Sequence, residues 1–336
     1  MKEQILILFI INILVISVIT VFRWKISNYL GLIDHPSKRK LHSEKVPAIG
    51  GLIILILFII NFISLKFLEF NELLNFRSLI FLIIVFSLGY LDDTITINAT
   101  KRLFLLSIIF LFCFYDNDNF IISSLKLSFS NNLYNLNFFQ KYFITILCVL
   151  LLINAINLSD GINSLASSII TFWSIYIIFY ISKNFYIENL LYIFPILIIC
   201  FLNYKNFFFL GNSGSMFLGA YISIIIINKY NENIFDTSTF VDEIIILFLL
   251  PGLDMLRVFC SRLAKKKHPF EADRNHLHHL LIKKMNNLST VIFYNSIIII
   301  MIFLYKIGIN FFLVLCIYLT IYLFLIFYLK RKTLKN

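Results

Sequence analysis

The chain has 336 residues, 60% of them hydrophobic and 14% charged, with a formal net charge of +11. Mainly apolar runs near the roughly 20 residues that cross a bilayer recur from end to end, which excludes a water-soluble core and leaves no room for a separate soluble domain. The basic excess fits membrane orientation and anionic lipid headgroups, and nucleic acid is not an expected partner.

The expected spans are roughly 4–22, 49–67, 78–91, 102–115, 139–156, 167–182, 189–204, 215–228, 241–259, 289–305 and 310–329, an all-α polytopic membrane protein of about ten or eleven helices. The first apolar run carries its charges after it, at Arg23 and Lys25, with no small-residue cleavage site. It reads as a membrane helix, not as a removed leader. With the N-terminus outside and the C-terminus inside, 21 of the 29 lysines and arginines fall on the inner side, as the positive-inside rule requires. All six histidines fall there too, with Asp92, Asp93, Asp160, Asp254 and Asp273. The chemistry is therefore expected on the cytoplasmic face.

The first inner loop runs from Asp34 to Gly51 and places Lys38, Arg39 and Lys40 beside His35 and His42. That cluster suits a phosphate-bearing ligand, although the lysines alone also fit an ordinary positive-inside loop. Asp92 and Asp93 end the third span. Adjacent carboxylates at the membrane boundary repel unless a cation or a basic partner compensates, and Lys101 or Arg102 is placed to do so. A helix cap accounts for one of the two, not both. In the outer loop 116–141, alternation over 121–130 and the turn Asn131-Asn132 suggest a small β-hairpin near 121–138.

The segment Asn154–Ala166 is the polar centre of the chain. Asn154, Asn157, Asp160 and Asn163 recur every three residues, so a continuous helix would show three amides and a carboxylate on one face. Such a stripe offers oxygen ligands to a hard cation and amides to a base or sugar. Gly211-Asn212-Ser213-Gly214-Ser215 opens a later helix, where backbone N–H groups could hold phosphate or nucleoside oxygens. Asp254 and Arg257 are spaced for an in-helix ion pair. Beyond them, His276, His278 and His279 follow Asp273-Arg274 in a strongly cationic loop without cysteine, which favours a diphosphate over zinc. The five cysteines are far apart and read as buried apolar residues.

Together these segments resemble the polyprenyl-phosphate N-acetylhexosamine-1-phosphate transferases (WecA/MraY-like, glycosyltransferase family 4), nearer the WecA-like branch. The resemblance runs from about Asp34 to Leu281 within one integral membrane domain, 1–336. It rests on D-x-P-x-x-R-K-x-H with P-x-x-G-G, then L-D-D, N-x-x-N-x-x-D-G, L-G-N-x-G-S-x-F-L-G and D-R-x-H-x-H-H.

What the resemblance implies is transfer of a sugar-1-phosphate from a UDP-sugar to undecaprenyl phosphate, releasing UMP. N-acetylglucosamine is the default sugar. This would be the first membrane step of a cell-envelope glycan at the bacterial plasma membrane. Mg²⁺ is the implied cofactor, with Mn²⁺ used occasionally, and a homodimer is compatible with it. Asp92 and Asp93 match the paired aspartates that orient the lipid phosphate or lie near the metal, and Asp160 joins them as a catalytic candidate. Asn157 matches an asparagine that ligates Mg²⁺ in the eukaryotic branch, and Asn163 a residue that touches uracil. Arg39, His42 and Arg102 are further substrate-binding candidates, while Arg274, His276, His278 and His279 match the basic segment at the diphosphate. Three departures stand out. Asn212 replaces a metal-binding aspartate, Thr96 replaces a third acid, and Asn163-Ser164 replaces a second Asp-Gly. An altered relative that holds lipid phosphate without turnover, or a carrier of lipid-linked sugar, is the alternative. A carrier would want mid-membrane polar residues and an inverted repeat, which the sequence does not show.

Overall fold

The computed structural model describes residues 2–36, 43–70, 73–130, 132–182, 186–233, 240–269 and 273–333. The chain forms two compact units. The first comprises Met1–Ile122 and Phe138–Asn233. It holds α1 (Lys2–Val21), α2 (Arg23–Leu30), β1 (Ile33–Asp34), β2 (Val46–Pro47), α3 (Gly50–Phe67), α4 (Phe76–Ile95) and α5 (Ala99–Phe114). Then follow, in the same unit, α6 (Phe138–Ser159), α7 (Leu165–Tyr176), α8 (Leu190–Tyr204) and α9 (Gly211–Asn233). The second comprises Ser123–Asn137 and Ile234–Asn336, with β3 (Ser124–Lys126), β4 (Leu133–Asn135), α10 (Val241–Ala264), α11 (Leu277–Leu281), α12 (Asn287–Lys306) and α13 (Phe311–Thr333).

Each of the eleven expected spans is a helix, and among the described residues eight are long and apolar enough to cross a bilayer. The other three are α5, α7 and α9. The third span is longer than expected, because Asn75 caps α4 through a hydrogen bond from Ser78 N at 2.8 Å, and the helix continues through the aspartate pair to Ile95. Asn98 caps α5 and Asn286 caps α12 in the same manner. A side-chain acceptor at the N-cap satisfies a backbone donor that the helix itself leaves unpaired. The expected hairpin is present as antiparallel β3 and β4, with Leu125 opposite Tyr134. Asp242 at the start of α10 holds it, accepting from Ser128 N at 3.0 Å and from Tyr305 Oη at 3.0 Å.

The core of the first unit is aromatic. Phe58 meets Tyr192, Phe217 and Tyr221 edge-on at 5.0–5.1 Å, the favoured geometry for ring quadrupoles. One polar chain crosses this apolar interior. Pro195 lies inside α8 and has no N–H to give the carbonyl of Leu191, one turn earlier. Asn61 Nδ2 supplies that bond at 2.8 Å, and Asn12 Nδ2 donates to Asn61 Oδ1 at 3.0 Å. Both asparagines are fully buried. The proline thus explains why two amides sit in an otherwise hydrocarbon setting.

Candidate functional site

Three glycines put α3, α4 and α9 in backbone contact. A Cβ on Gly51 would lie 2.4 Å from Gly214 N, and one on Gly89 would lie 2.6 Å from Ser213 Cα. No larger residue allows that approach. It brings the end of α4 to the start of α9. There Asp93 accepts from Asn212 N at 2.8 Å and from Ser213 N at 2.9 Å. The helix start expected to hold a ligand phosphate is therefore filled by the protein's own carboxylate. A helix N-terminus attracts an anion, and Asp93 is that anion.

Asp92 turns the other way. It is buried, accepts from Ile97 N at 2.7 Å and pairs with Arg102 Nη1 at 2.6 Å. Arg102 Nη2 reaches Asn154 Oδ1 at 3.4 Å. Of the two basic residues considered as the compensating partner, Arg102 takes the role.

The expected helical stripe stops at Ser159, where α6 ends. Residues 160–164 turn instead, and Ser164 takes a left-handed conformation with φ of 65°. Asn203 Oδ1 accepts from Ser164 N, and Asn203 Nδ2 donates to Phe208 O at 2.9 Å. These bonds reward the turn over another helical residue. Asn157, still on α6, accepts from Ser215 Oγ at 2.7 Å. Asn163 Nδ2 donates to Asn206 Oδ1.

Asp160 stands in that turn. Its carboxyl makes no hydrogen bond to another described residue. Burial pushes its pKa well above the usual carboxylate range, and the charge of Asp93 adds to the effect. The Asn212 side chain likewise lacks a hydrogen-bond partner among the described residues. No group of three or more His, Cys, Asp and Glu side chains there is arranged to hold a metal. Mg²⁺ does not need one, since it commonly takes one or two carboxylates and fills its shell with water and substrate phosphates. Asp160, a half-buried carboxylate within electrostatic range of Asp93, supplies a donor of that kind.

The second unit carries the other expected group. Asp254 on α10 is 3% exposed. It accepts from His276 Nδ1 at 2.9 Å, Leu277 N at 3.0 Å, Tyr322 Oη at 2.9 Å and Arg257 Nη2 at 2.8 Å. The expected Asp254–Arg257 ion pair is thus one bond of four partners. Arg262 pairs with Asp273 at 3.0 Å and donates to Pro269 O at 2.7 Å. Burial opposes the charge on Asp273, yet the Arg262 hydrogen bond holds its carboxyl below the usual range.

The rings of His278 and His279 lie 4.2 Å apart. Burial, then the neighbouring His279, pushes His278 well below the usual imidazole range. Burial, His276 and Arg274 push His279 down to about 4. Both are neutral near pH 7, so these two rings add no positive charge to the segment. Arg39 and His42 lie outside the described residues, as do Lys38 and Lys40.

Sequence reasoning missed the reach of Asp254, because Tyr322 is 68 residues away and no local pattern connects them. It also missed Arg262, whose pairing with Asp273 closes the loop between α10 and α11.

Residues 75–229 match the model of glycosyl transferase family 4. Over that stretch, a little under half of its length, the chain is similar to that family. The matched stretch runs from the cap of α4 through most of α9, and so includes Asp92, Asp93, Asn157, Asp160 and Asn212. Curated relatives extend the likeness. The probable undecaprenyl-phosphate N-acetylglucosaminyl 1-phosphate transferase of Bacillus subtilis is 28% identical over 83% of this chain and 77% of its own length. The undecaprenyl-phosphate alpha-N-acetylglucosaminyl 1-phosphate transferase of Thermotoga maritima is 26% identical over 84% of this chain and 82% of its own. The protein of the same name from Escherichia coli O157:H7 is 27% identical over 78% and 72%. With eight apolar spans among the described residues, the chain is a multi-pass membrane protein.

Proposed function

We propose that the chain transfers a sugar-1-phosphate from a UDP-sugar to undecaprenyl phosphate, with N-acetylglucosamine 1-phosphate as the default group. The relatives' shared name across most of the chain carries this reading. Asp93 bonded to the start of α9, with Asp160 in electrostatic range of it, supports it.

An oxygen of the lipid phosphate attacks the sugar-bearing phosphorus of the UDP-sugar. The bond from that phosphorus to the bridging oxygen breaks, and UMP leaves with it. The lipid phosphate is already ionised near neutral pH, so no side chain has to remove a proton. Positioning and charge compensation are the main demands on the protein. Mg²⁺, when bound, would neutralise the diphosphate and improve UMP as a leaving group.

Asp160 and Asn212 would hold the ion, with Asn157 as a further oxygen. Asp93 fixes the start of α9, and with it Asn212, against the end of α4. Arg102, tied to Asp92, is a cation for an incoming phosphate. In the second unit, Arg274 and the three histidines are the basic segment that the family resemblance assigns to the diphosphate. The bias of lysine and arginine in the sequence supports a cytoplasmic site.

The test uses the full chain in nanodiscs with undecaprenyl phosphate, UDP-N-acetylglucosamine and a Mg²⁺ titration. Release of UMP that depends on both the lipid and the metal is the expected result. If no UDP-sugar releases UMP, the reading gives way to a relative that holds lipid phosphate without turnover. The exchange of aspartate for Asn212 is the observation that would favour that second reading.

A further inference from the structure

The second unit contains a buried set of hydrogen-bonding groups with partners missing. Arg257 donates through Nε to Tyr322 Oη at 2.5 Å, and through Nη2 to Asp254 at 2.8 Å and to Asn275 O at 2.6 Å. Its Nη1 is buried and has no partner. His276 is 4% exposed. Its Nδ1 is engaged by Asp254, and its Nε2 is buried without a partner. A guanidinium can only donate, so what is missing at Nη1 is an acceptor. A buried charged donor left unpaired is costly, which argues that the acceptor is strong.

Asp254 explains why these groups stand ready. An ionised carboxylate only accepts, so His276 Nδ1 must carry a proton when it faces Asp254. That fixes the ring, leaving Nε2 as the variable position. Tyr322 closes the arrangement. Its hydroxyl accepts from Arg257 Nε and donates to Asp254 Oδ1, so one phenol holds both members of the ion pair. Leu277 N also binds Asp254, which seats the short α11 and the ring just before it.

From this geometry we infer that Asp254 and Tyr322 are positioning residues of an anion receptor in the second unit, whose ligating groups are Arg257 Nη1 and His276 Nε2. The chemical class of ligand is a phosphate or diphosphate, an identification that rests on the transferase reading. Arg257 is then a substrate-binding residue in addition to Arg274 and the histidines. Asp254 never touches the ligand. It keeps His276 in one orientation and balances the charge of Arg257, so that the unit folds with a cation at its centre.

The test is ¹⁵N NMR of histidine-labelled full-length protein in nanodiscs, titrated with inorganic diphosphate. The His276 Nε2 resonance, assigned by its loss in His276→Gln, is expected to shift on titration. Asp254→Asn is expected to change the His276 tautomer signature and to weaken diphosphate binding by roughly tenfold or more. Asp254→Glu restores part of both, and Tyr322→Phe weakens binding without altering which His276 nitrogen carries the proton. Arg257→Lys keeps the charge but loses the fork, and should weaken binding as well.

Unchanged His276 resonances on titration overturn the inference, because the buried nitrogens would then face only water. Unchanged affinity in folded Asp254→Asn or in Tyr322→Phe overturns the positioning role. UMP release is measured on the same preparations. A His276 shift without turnover would reject the transferase reading and keep the receptor. Turnover without a His276 shift would do the reverse.

Discussion

Arg102 Nη1 lies 2.6 Å from Asp92 Oδ2, with the two side chains 13% and 7% exposed. The pair joins the end of α4 to the first turn of α5. Arg102 therefore has two duties, holding Asp92 and offering charge to a ligand. Removing it alone leaves a buried carboxylate uncompensated, a loss of about 3–5 kcal/mol. Arg102→Leu is expected to lower the melting temperature in detergent well below that of Asp92→Asn/Arg102→Leu. Equal melting of the two variants would mean that the pair carries no such coupling.

The contact of Gly51 with Gly214 leaves no space for a methyl group. Gly214→Ala is expected to push α9 away from α3 and to destabilise the first unit by roughly 1–3 kcal/mol. Because the shift moves Asn212 and Ser213 away from Asp93, UMP release should fall more steeply than the folded fraction. Gly252→Ala is the control, since nothing lies within 4 Å of an added Cβ there. A parallel fall of activity and folded fraction would confine the glycine to packing.

Asn212→Asp adds a carboxylate beside Asp93, which already feels the charge of Asp160. Without a divalent ion the added repulsion should lower the melting temperature. Millimolar Mg²⁺ should recover it, and half-maximal UMP release should need less Mg²⁺ than in the wild type. Melting that is blind to Mg²⁺ in both proteins would remove position 212 from the metal reading.

The pH dependence of the second unit follows from His279. Its pKa lies at about 4, below the ordinary 6.5. An unfolded chain takes up that proton first as the pH falls, so its contribution to stability is complete above 6.5 and is lost down through about 4. Asp273, also held low, acts in the same direction at more acidic pH. In the first unit, Asp160 acts oppositely. Its raised pKa stabilises the fold at low pH, and that contribution is lost as the pH rises through the folded value. Relative to the wild type, His279→Gln should therefore lose less melting temperature between pH 7 and 5. An unchanged slope would show that His279 is not the titrating group.

Much of this was legible in the residues themselves. Apolar runs near bilayer length located every long helix, and Asn-Asn within an alternating stretch located the hairpin. The aspartate pair announced itself, because two adjacent carboxylates at a membrane boundary need an explanation. The division of labour between them was not legible. Asp93 caps a helix that begins 118 positions later, at Gly211, and only the close approach of glycines makes that possible. Asp160 was read onto a helical face because the spacing after Asn154 keeps the helical period. The period says nothing of Asn203 Oδ1, which accepts from Ser164 N and stabilises the turn. Asp254 is similar. The local sequence shows its arginine neighbour, and the fold adds a tyrosine and a histidine from two other segments.

The hydrogen-bonded series Asn12, Asn61 and Leu191 O sets an order of events during synthesis. The first two amides belong to helices made early, whereas their final acceptor is freed only when Pro195 enters the chain. Until α8 is delivered to the bilayer, α1 and α3 carry a polar pair whose outer N–H has nowhere to go. Arrival of α8 completes that pair. The amino-terminal helix is thus bound to a carbonyl that appears only after more than half of the protein has been built.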